Sequence, residues 1–212
     1  MGRRETLSLP QLWIGTSGSG SPAGLVMTWV SPTRHHPART TQEDALSATT
    51  SEHDRFEALD ASAFAFTRRA WVDAAPARVY DLVSDVSAIG RWSPNATDVT
   101  FDRGAGPRVG AWFSGLNRKD GRRWTTRSQV VRADPGDAFT FVVGGAEAGI
   151  VRWSWTFRPQ GRGTVVEQSW QLLRLDPVLG TTRGDLDALR DYMTDSVEAT
   201  LVSLARWIAE EA

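Results

Sequence analysis

The feature that most constrains the fold is a long apolar stripe close to the C-terminus. Its residues recur at spacings of three and four, which is the repeat of one helix face: Leu186, Leu189, Met193, Val197, Leu201, Leu204 and Ile208. The stripe covers roughly 25 residues, or about 35–40 Å of helix at 1.5 Å per residue. Thr182 and Asp185, three positions apart, predict a capping box at its start. A stripe this long on a terminal helix needs a sheet to lie across, so the sequence predicts a helix packed on a sheet.

Seven strands are predicted before this helix, and one of them shows its buried face directly. Val151, Trp153, Trp155 and Phe157 alternate with polar residues, which is the period of a sheet covered on one side. Lys119-Asp-Gly is a tight hairpin signal, and residues 159–163 are predicted to form another turn. The predicted strands are residues 64–72, 96–101, 111–118, 123–132, 138–143, 150–157 and 164–175.

Residues 75–94 predict two short helices between the first and second strands, bent at residues 84–86. Pro76 suits a first helical turn, where its missing N–H costs nothing. Val79, Leu82 and Val83 then share one face.

Composition divides the chain and excludes several kinds of protein. Residues 1–62 are rich in Ser, Thr, Gly, Pro and Ala without a sustained period, so we expect disorder there, apart from a short polar helix within residues 40–60. Residues 63–212 are predicted to be the folded domain.

The net charge of −1 gives no electrostatic evidence for binding to nucleic acid, and no apolar run is long enough to span a membrane. The absence of cysteine excludes disulfides and is compatible with a cytoplasmic location, which we predict.

Common catalytic and metal-binding sets are missing from the predicted domain. The three histidines, His35, His36 and His53, all precede it. Without His or Cys the domain cannot hold a Ser–His–Asp triad, a Cys–His pair or the usual zinc ligands. No glycine-rich phosphate loop precedes a helix, so we predict neither a metal nor a cofactor. An acid–base catalyst, if one exists, would have to be Asp, Glu, Arg, a water molecule, Tyr80 or Tyr192, and no catalytic residue is assigned.

A set of local motifs resembles one known family. The motifs are Ala75-Pro76 leading into Val79-Tyr80 with Asp85 after it, Trp92-Ser-Pro94, Phe113-Ser-Gly115-Leu-Asn117, Trp124 with Val130, Asp134-Pro-Gly136, Phe139-Thr-Phe141 and Gly163-Thr164. In this order they resemble the actinobacterial polyketide cyclase/dehydrase branch of the SRPBCC superfamily, which also contains START-type lipid carriers and birch-pollen-allergen relatives. The resemblance implies an α+β helix-grip (START-like) fold: a seven-stranded antiparallel sheet wrapped around a long C-terminal helix, with two short helices between strands one and two. It also implies a hydrophobic cavity between sheet and helix rather than one shared reaction.

Tryptophan is the positive signal for what fills that cavity, because eight of the ten lie in the predicted domain. Core packing explains any single one, whereas a set this large also suits an apolar ligand site. Asn117 is either a polar group facing the ligand or a hairpin-turn asparagine, and Gly115 would allow a ligand or the helix to approach closely. Either Glu167 or Gln168 faces inward. The candidate ligand-binding residues are Trp92, Phe113, Asn117, Trp124, Thr126, Ser128, Phe141, Trp153, Trp155, Gln168, Trp170, Met193 and Val197.

Charged residues are a weaker signal. Arg68, Arg69, Arg122, Arg123 and Arg127 form either a basic rim of the site or a solvated sheet face.

Three hypotheses of function follow from the cavity. The first is binding of a hydrophobic or aromatic small molecule, lipid or polyketide-like, for carriage, sensing or sequestration. The second is a polyketide cyclase or dehydratase that folds its substrate by shape, since orientation alone lowers a barrier by several kcal/mol. The third is a protein-interaction module, for which Tyr192, Ala199 and Trp207 give a hint of a second apolar stripe. The predicted partner is a hydrophobic small molecule, without nucleic acid, and the predicted state is a monomer or homodimer.

Overall fold

A computed structural model describes residues 11–13, 28–30, 59–119 and 121–211. The chain divides into two compact units, one of residues 60–175 and 190–212, the other of residues 1–59 and 176–189. In the second unit β1 (Gln11–Trp13) pairs antiparallel with β2 (Thr28–Val30). The disorder expected for the rest of residues 1–58, and most of the polar helix expected at residues 40–60, fall outside the described residues.

A seven-stranded antiparallel sheet dominates the larger unit. Its order across the sheet is β3-β9-β8-β7-β6-β5-β4. The two edge strands are therefore β3 and β4, which come first and second of the seven along the chain. The strands are β3 (Ala65–Val72), β4 (Ala96–Phe101), β5 (Trp112–Lys119), β6 (Arg122–Asp134), β7 (Ala138–Val143), β8 (Val151–Gln160) and β9 (Gly163–Leu172).

Two short helices connect β3 to β4, as the sequence predicts. α1 (Pro76–Ser84) begins at its proline, and α2 (Ile89–Trp92) follows a 3-10 turn at Val86–Ala88. Asp85 makes the bend between them, because its carboxylate accepts from the Ser87 backbone N–H at 3.0 Å and from the Ser87 hydroxyl at 2.6 Å.

The C-terminal helix α3 (Arg183–Glu210) starts at the predicted capping box. The Asp185 N–H donates to Thr182 Oγ1 at 3.1 Å, and the Thr182 N–H donates to Asp185 Oδ2 at 3.0 Å. None of the helices in the described part of the chain is long and apolar enough to cross a membrane.

The buried core lies between the sheet and the second half of α3. Val197, Leu201, Leu204 and Ile208 belong to one apolar cluster with inward-facing residues of the sheet and of α1 and α2. This arrangement confirms the predicted helix-grip fold.

One predicted turn is shorter than expected, and the sheet gives the reason. Residues 159 and 160 continue β8, so that the turn is confined to residues 161 and 162. The Phe157 N–H donates to the Asp137 carbonyl at the start of β7. Pro159, two residues on, points its nitrogen to the same side, where β7 has not yet begun, so its missing N–H removes no ladder bond.

β4 and β7 have the predicted boundaries, and the remaining strand boundaries differ from the prediction by at most three residues. β3 begins one residue later than predicted, β5 is shifted by one, β6 extends further at both ends, and β9 ends at Leu172. The hairpin at Lys119-Asp-Gly is confirmed, since β5 ends at Lys119 and β6 begins at Arg122. Gly121 has a φ of +79°, the left-handed conformation that this tight turn requires.

Candidate functional site

Aromatic side chains cross the inner face of the sheet in one row. The strand register places Trp153 of β8 between Phe141 of β7 and Trp170 of β9, and Trp170 opposite Phe66 of edge strand β3. Phe66 and Trp170 stack with ring centroids 5.7 Å apart. We call this the aromatic row.

The aromatic row continues to the opposite edge of the sheet. Phe113 of β5 meets Phe141 edge to face at 5.0 Å, and Phe101 of β4 meets Phe113 at 5.7 Å. The complete row is therefore Phe66, Trp170, Trp153, Phe141, Phe113 and Phe101.

The row is only partly covered. Trp170 and Phe113 are buried, whereas Phe66, Phe101, Phe141 and Trp153 are half-buried. On α3, Val197 is buried in the core and Met193 is half-buried. Large apolar side chains that stay half-exposed on the inner face of a sheet are the kind of surface that an apolar ligand covers.

A second line of residues lies beside the aromatic row and carries polar groups. Gln168 of β9 is opposite Trp155 of β8 and Arg68 of β3. Trp92 of α2 packs edge to face on Trp155, with ring centroids 5.5 Å apart. Trp155 thus joins the strand that carries Gln168 to the short helix that carries Trp92.

Two polar atoms in this line are buried without a partner. Gln168 and Trp92 are each 5% exposed, yet Gln168 Oε1 and Trp92 Nε1 have no hydrogen bond to any described residue. An unpaired buried group of this kind costs about 1–3 kcal/mol. Gln168 Oε1 is a hydrogen-bond acceptor and Trp92 Nε1 is a donor, and we call these two atoms the polar pair.

The open choice between Glu167 and Gln168 is decided by the pleat. Gln168 points to the inner face, and Glu167 is on the outer face. There Glu167 Oε2 accepts from the Thr156 hydroxyl at 3.3 Å and lies 3.7 Å from Arg158. The carboxylate is therefore directed away from the candidate site.

The predicted polar residues on the β5–β6 hairpin share the inner face. Asn117 is opposite Trp124, and Asn117 Nδ2 donates to Thr126 Oγ1 at 3.0 Å. Ser128 is buried and lies opposite Phe113 in the aromatic row. Asn117, Trp124 and Thr126 are half-buried. The structure thus brings Ser128 to the row and places the other three along the same face towards the hairpin tip.

Gly115 has a different role from the one its position suggests. A Cβ at this residue would lie 2.9 Å from Cγ2 of Val99 on β4. The space that the missing side chain leaves is filled by Val99 of the neighbouring strand.

Three contacts attach α3 to the sheet around the site. The Asn95 amide donates to the Ser196 hydroxyl at 2.8 Å, and the Lys119 ammonium lies 3.5 Å from the Tyr192 ring centroid. At the other edge, Arg68 Nε donates to Glu198 Oε1 at 2.7 Å. The side chains of Arg68 and Glu198 are 40% and 56% exposed, so this ion pair is at the surface and weakly stabilising.

Two of the four arginines of the alternative basic rim whose side chains are described are paired with carboxylates. Besides Arg68, Arg127 binds both carboxylate oxygens of Asp102, at 3.1 and 2.6 Å, and lies over the Trp112 ring. Arg69 and Arg123 are exposed, and the side chain of Arg122 lies outside the described part. The exposure of Arg69 and Arg123 favours a solvated sheet face, whereas Arg68 lies on the inner face beside Gln168.

Shifted pKa values are found at groups away from the aromatic row. Burial raises the pKa of the Tyr80 hydroxyl, which a hydrogen bond from Ser84 opposes and the charges of Asp134 and Asp81 reinforce. Tyr80 belongs to α1 and is enclosed edge to face by Phe139 and Phe157, at 6.4 and 6.0 Å.

The two other shifts are at the surface. Hydrogen bonds from Ser62 lower the pKa of Asp60, and the hydrogen bond to Asp134 raises the pKa of Arg132. Neither group is placed to act on a ligand at the aromatic row.

Comparison with known proteins identifies the family. The sequence model of the family described as "Polyketide cyclase / dehydrase and lipid transport" matches residues 63–208. The chain belongs to this family. No curated protein matches the chain.

Solved structures support the same assignment. A polyketide-cyclase-like protein of Corynebacterium glutamicum is 31% identical, with a TM-score of 0.51 over 70% of this chain and 93% of its own. A protein of Thermus thermophilus is 21% identical, with a TM-score of 0.54 over 70% of this chain and 99% of its own. The di-domain ARO/CYC StfQ of the steffimycin biosynthetic pathway is 19% identical, with a TM-score of 0.58 over 80% of this chain and 58% of its own. The last two likenesses concern the fold alone.

Two residues of the aromatic row were not predicted from the sequence. Phe66 and Phe101 lie on the two edge strands β3 and β4. In β3, large side chains occupy both alternating sets, with Phe66 in one and Trp71 in the other. Pairing with β9 selects the set of Phe66 and leaves Trp71 46% exposed. The sequence shows that Phe66 is a large apolar residue of a strand, but it does not show whether Phe66 or Trp71 faces the inside of the sheet.

Proposed function

We propose that the chain binds a hydrophobic or aromatic small molecule between the inner face of its sheet and α3. The observation that supports this most is the half-buried part of the aromatic row, which would be covered by such a ligand. The buried polar pair next to it would orient one polar group of the ligand. A role in carriage, sensing or sequestration, in the cytoplasm and as a monomer or homodimer, stays a prediction.

The polar side chains around the aromatic row favour binding over acid–base catalysis. Ser128, Gln168 and Trp92 are neutral, and Arg68, which neighbours Gln168 in the register, is paired with Glu198. A general acid or base needs an ionisable group within hydrogen-bond reach of the reacting atom.

A polyketide cyclase or dehydratase is the second candidate, supported by the family's description and by the likeness of fold to the StfQ structure. Such an enzyme would act by holding a flexible chain in one folded shape, which needs few ionisable groups. The protein-interaction hypothesis receives less support. Trp207 and Tyr192, which hinted at a second apolar stripe, are both in contact with charged side chains of the chain itself. The Trp207 indole N–H donates to Glu211 at 2.8 Å and the Arg91 guanidinium lies over its ring, while the Lys119 ammonium lies over the Tyr192 ring.

The first test is native mass spectrometry of the purified full-length chain, followed by denaturing extraction and identification of any small molecule. We expect a lipid or an aromatic compound to be released. A compound that returns chemically changed after incubation would favour the cyclase. Protein that carries nothing, and whose tryptophan fluorescence does not respond to a panel of apolar ligands, would contradict the proposal.

A pair of variants locates the binding surface. Trp153→Leu shortens the aromatic row at its half-buried centre, and Trp71→Leu removes an exposed tryptophan from the outer face. The first should weaken binding of the extracted compound by about tenfold or more, because less apolar surface is covered. The second should leave affinity unchanged. Equal effects of the two variants would place the binding surface elsewhere.

A further inference from the structure

The edge strand β3 has one side without a neighbouring strand. It pairs with β9 along its whole length with no register shift, and no other strand in the described part of the chain pairs with it. The Leu172 N–H donates to the Phe64 carbonyl, and hydrogen-bonded pairs recur at every second residue of an antiparallel ladder. The N–H and C=O groups that point away from β9 are therefore those of residues 65, 67, 69 and 71. A long, regular edge of this kind is a template for pairing with another chain.

Arg68 occupies the middle of this edge. Arg68 Nη1 donates to the Thr67 carbonyl at 3.1 Å, and this carbonyl is one of the acceptors that point away from β9. Arg68 Nε donates to Glu198 Oε1 at 2.7 Å, so α3 holds the guanidinium in this position. A strand that bound the Thr67 carbonyl would have to displace the guanidinium first.

We propose that Arg68, held by Glu198, and its exposed neighbour Arg69 prevent β3 from pairing with a second copy of this chain. The two side chains place positive charge on both faces of the strand, because Arg68 points to the inner face and Arg69 to the outer face. The sheet of one copy therefore cannot continue into the sheet of another across β3.

The possible registers explain why these two positions are effective. Two copies of β3 joined edge to edge are related by a two-fold axis, and residues directly opposite must point to the same face. The two longest registers that satisfy this condition pair residues 65–71 or residues 66–72 of the strand. The first places Arg68 opposite Arg68 of the second copy, and the second does the same for Arg69. Like charges directly opposite each other are destabilising.

The other edge strand, β4, is protected by its backbone. Its pairing with β5 shifts register between Thr97 and Thr100, and Asp98 within this bulge has a φ of +52°. A bulge bends and twists an edge strand away from regular pairing. β3 has no bulge, so its protection depends on side chains.

Sedimentation velocity of the full-length chain over a range of concentrations tests the proposal. Arg68→Thr/Arg69→Thr should associate at least about tenfold more strongly than the wild type, because it removes the opposed charges and exposes the Thr67 carbonyl. The matched control is Arg152→Thr/Arg158→Thr, which removes two exposed arginines from the interior strand β8 and should behave as the wild type. Arg68→Lys/Arg69→Lys keeps both charges and should also behave as the wild type.

Salt dependence identifies the cause. An increase from about 0.1 M to about 1 M salt shortens the screening length from about 10 Å to about 3 Å. Association of the wild type should therefore strengthen with salt, whereas that of Arg68→Thr/Arg69→Thr should change little. An equal salt response of the two proteins would contradict repulsion between the arginines.

Amide exchange locates the association on β3. In the wild type the Thr67 and Trp71 amides should exchange quickly, while the Arg68 and Ala70 amides are protected by β9. In Arg68→Thr/Arg69→Thr the Thr67 and Trp71 amides should become slower as the protein concentration rises. Slow exchange of these two amides in the wild type would overturn the proposal, because the edge would already be covered.

The proposal is also overturned if Arg68→Thr/Arg69→Thr associates no more than the wild type, or if the Arg152→Thr/Arg158→Thr control associates equally. Circular dichroism checks that each variant is folded. Arg68→Thr and Arg69→Thr as single variants keep the test decisive if the double variant does not fold, because each removes the opposed charges from one register. Neither outcome affects the proposed ligand binding, which is measured separately on the inner face.

Discussion

At the scale of single residues, Gly115 shows how tightly the edge of the sheet is packed. The Cβ of an alanine at this position would lie 2.9 Å from Val99 Cγ2, and Val99 is 4% exposed and β-branched, so it cannot turn away. Gly115→Ala should therefore lower the free energy of unfolding by about 1–3 kcal/mol, measured by urea denaturation.

The double variant tests the cause. Adding Val99→Ala to Gly115→Ala should recover part of the loss, because it removes the atoms that clash. An additive loss in the double variant would mean that another feature of Gly115 is responsible.

Tyr80 gives the residue-scale prediction for pH. Burial raises its pKa above that of an unfolded tyrosine, so the folded state retains the proton to higher pH. Its contribution to stability is complete below the unfolded pKa, about 10, and is lost as pH rises through the folded value. Tyr80→Phe should flatten the fall in unfolding free energy between about pH 9 and 11. Tyr192→Phe is the control, and an equal flattening in both variants would refute the assignment.

At the scale of elements, the start of α3 depends on its capping box. Thr182 and Asp185 satisfy each other's backbone N–H groups at 3.1 and 3.0 Å. Thr182→Ala should cost about 1 kcal/mol of unfolding free energy, while Thr182→Ser keeps the hydroxyl and most of the stability. The measurement is chemical denaturation followed by circular dichroism. Equal stability of the two variants would show that the cap does not contribute.

The elements also show where sequence patterns were sufficient. β8 alternates cleanly, and the inner set of the structure is the predicted one: Val151, Trp153, Trp155 and Phe157. β3 has large side chains in both sets, so periodicity could not choose between Phe66 and Trp71. Pro159 suggested a turn, yet it is accommodated where β7 has not yet begun. Which face of β3 is buried, and whether a proline can continue β8, depends on the strand that pairs alongside. The residues of a single strand do not specify that neighbour.

At the scale of the whole molecule, a ligand between sheet and helix should stabilise the native state. Binding to the folded chain alone adds RT ln(1 + [L]/Kd), about 2.7 kcal/mol at 100 times Kd. We therefore expect the melting temperature to rise by several degrees with the extracted compound, and amide exchange to slow in β8, β9 and α3. Amide exchange that slows only outside β8, β9 and α3 would contradict a ligand on the inner face.

The sequence by itself determined the class of fold and most of its elements. The helical stripe of α3, the alternation in β8 and the capping box are local periodicities and local hydrogen bonds, which neighbouring residues specify. The tertiary structure decided the site. The aromatic row arises from the register of six strands, and Gln168 faces inward while Glu167 does not because of how β9 pairs with β3 and β8. The polar pair joins residues 76 positions apart. It exists because packing on Trp155 buries both side chains without giving either atom a partner, and only the folded chain can produce that combination.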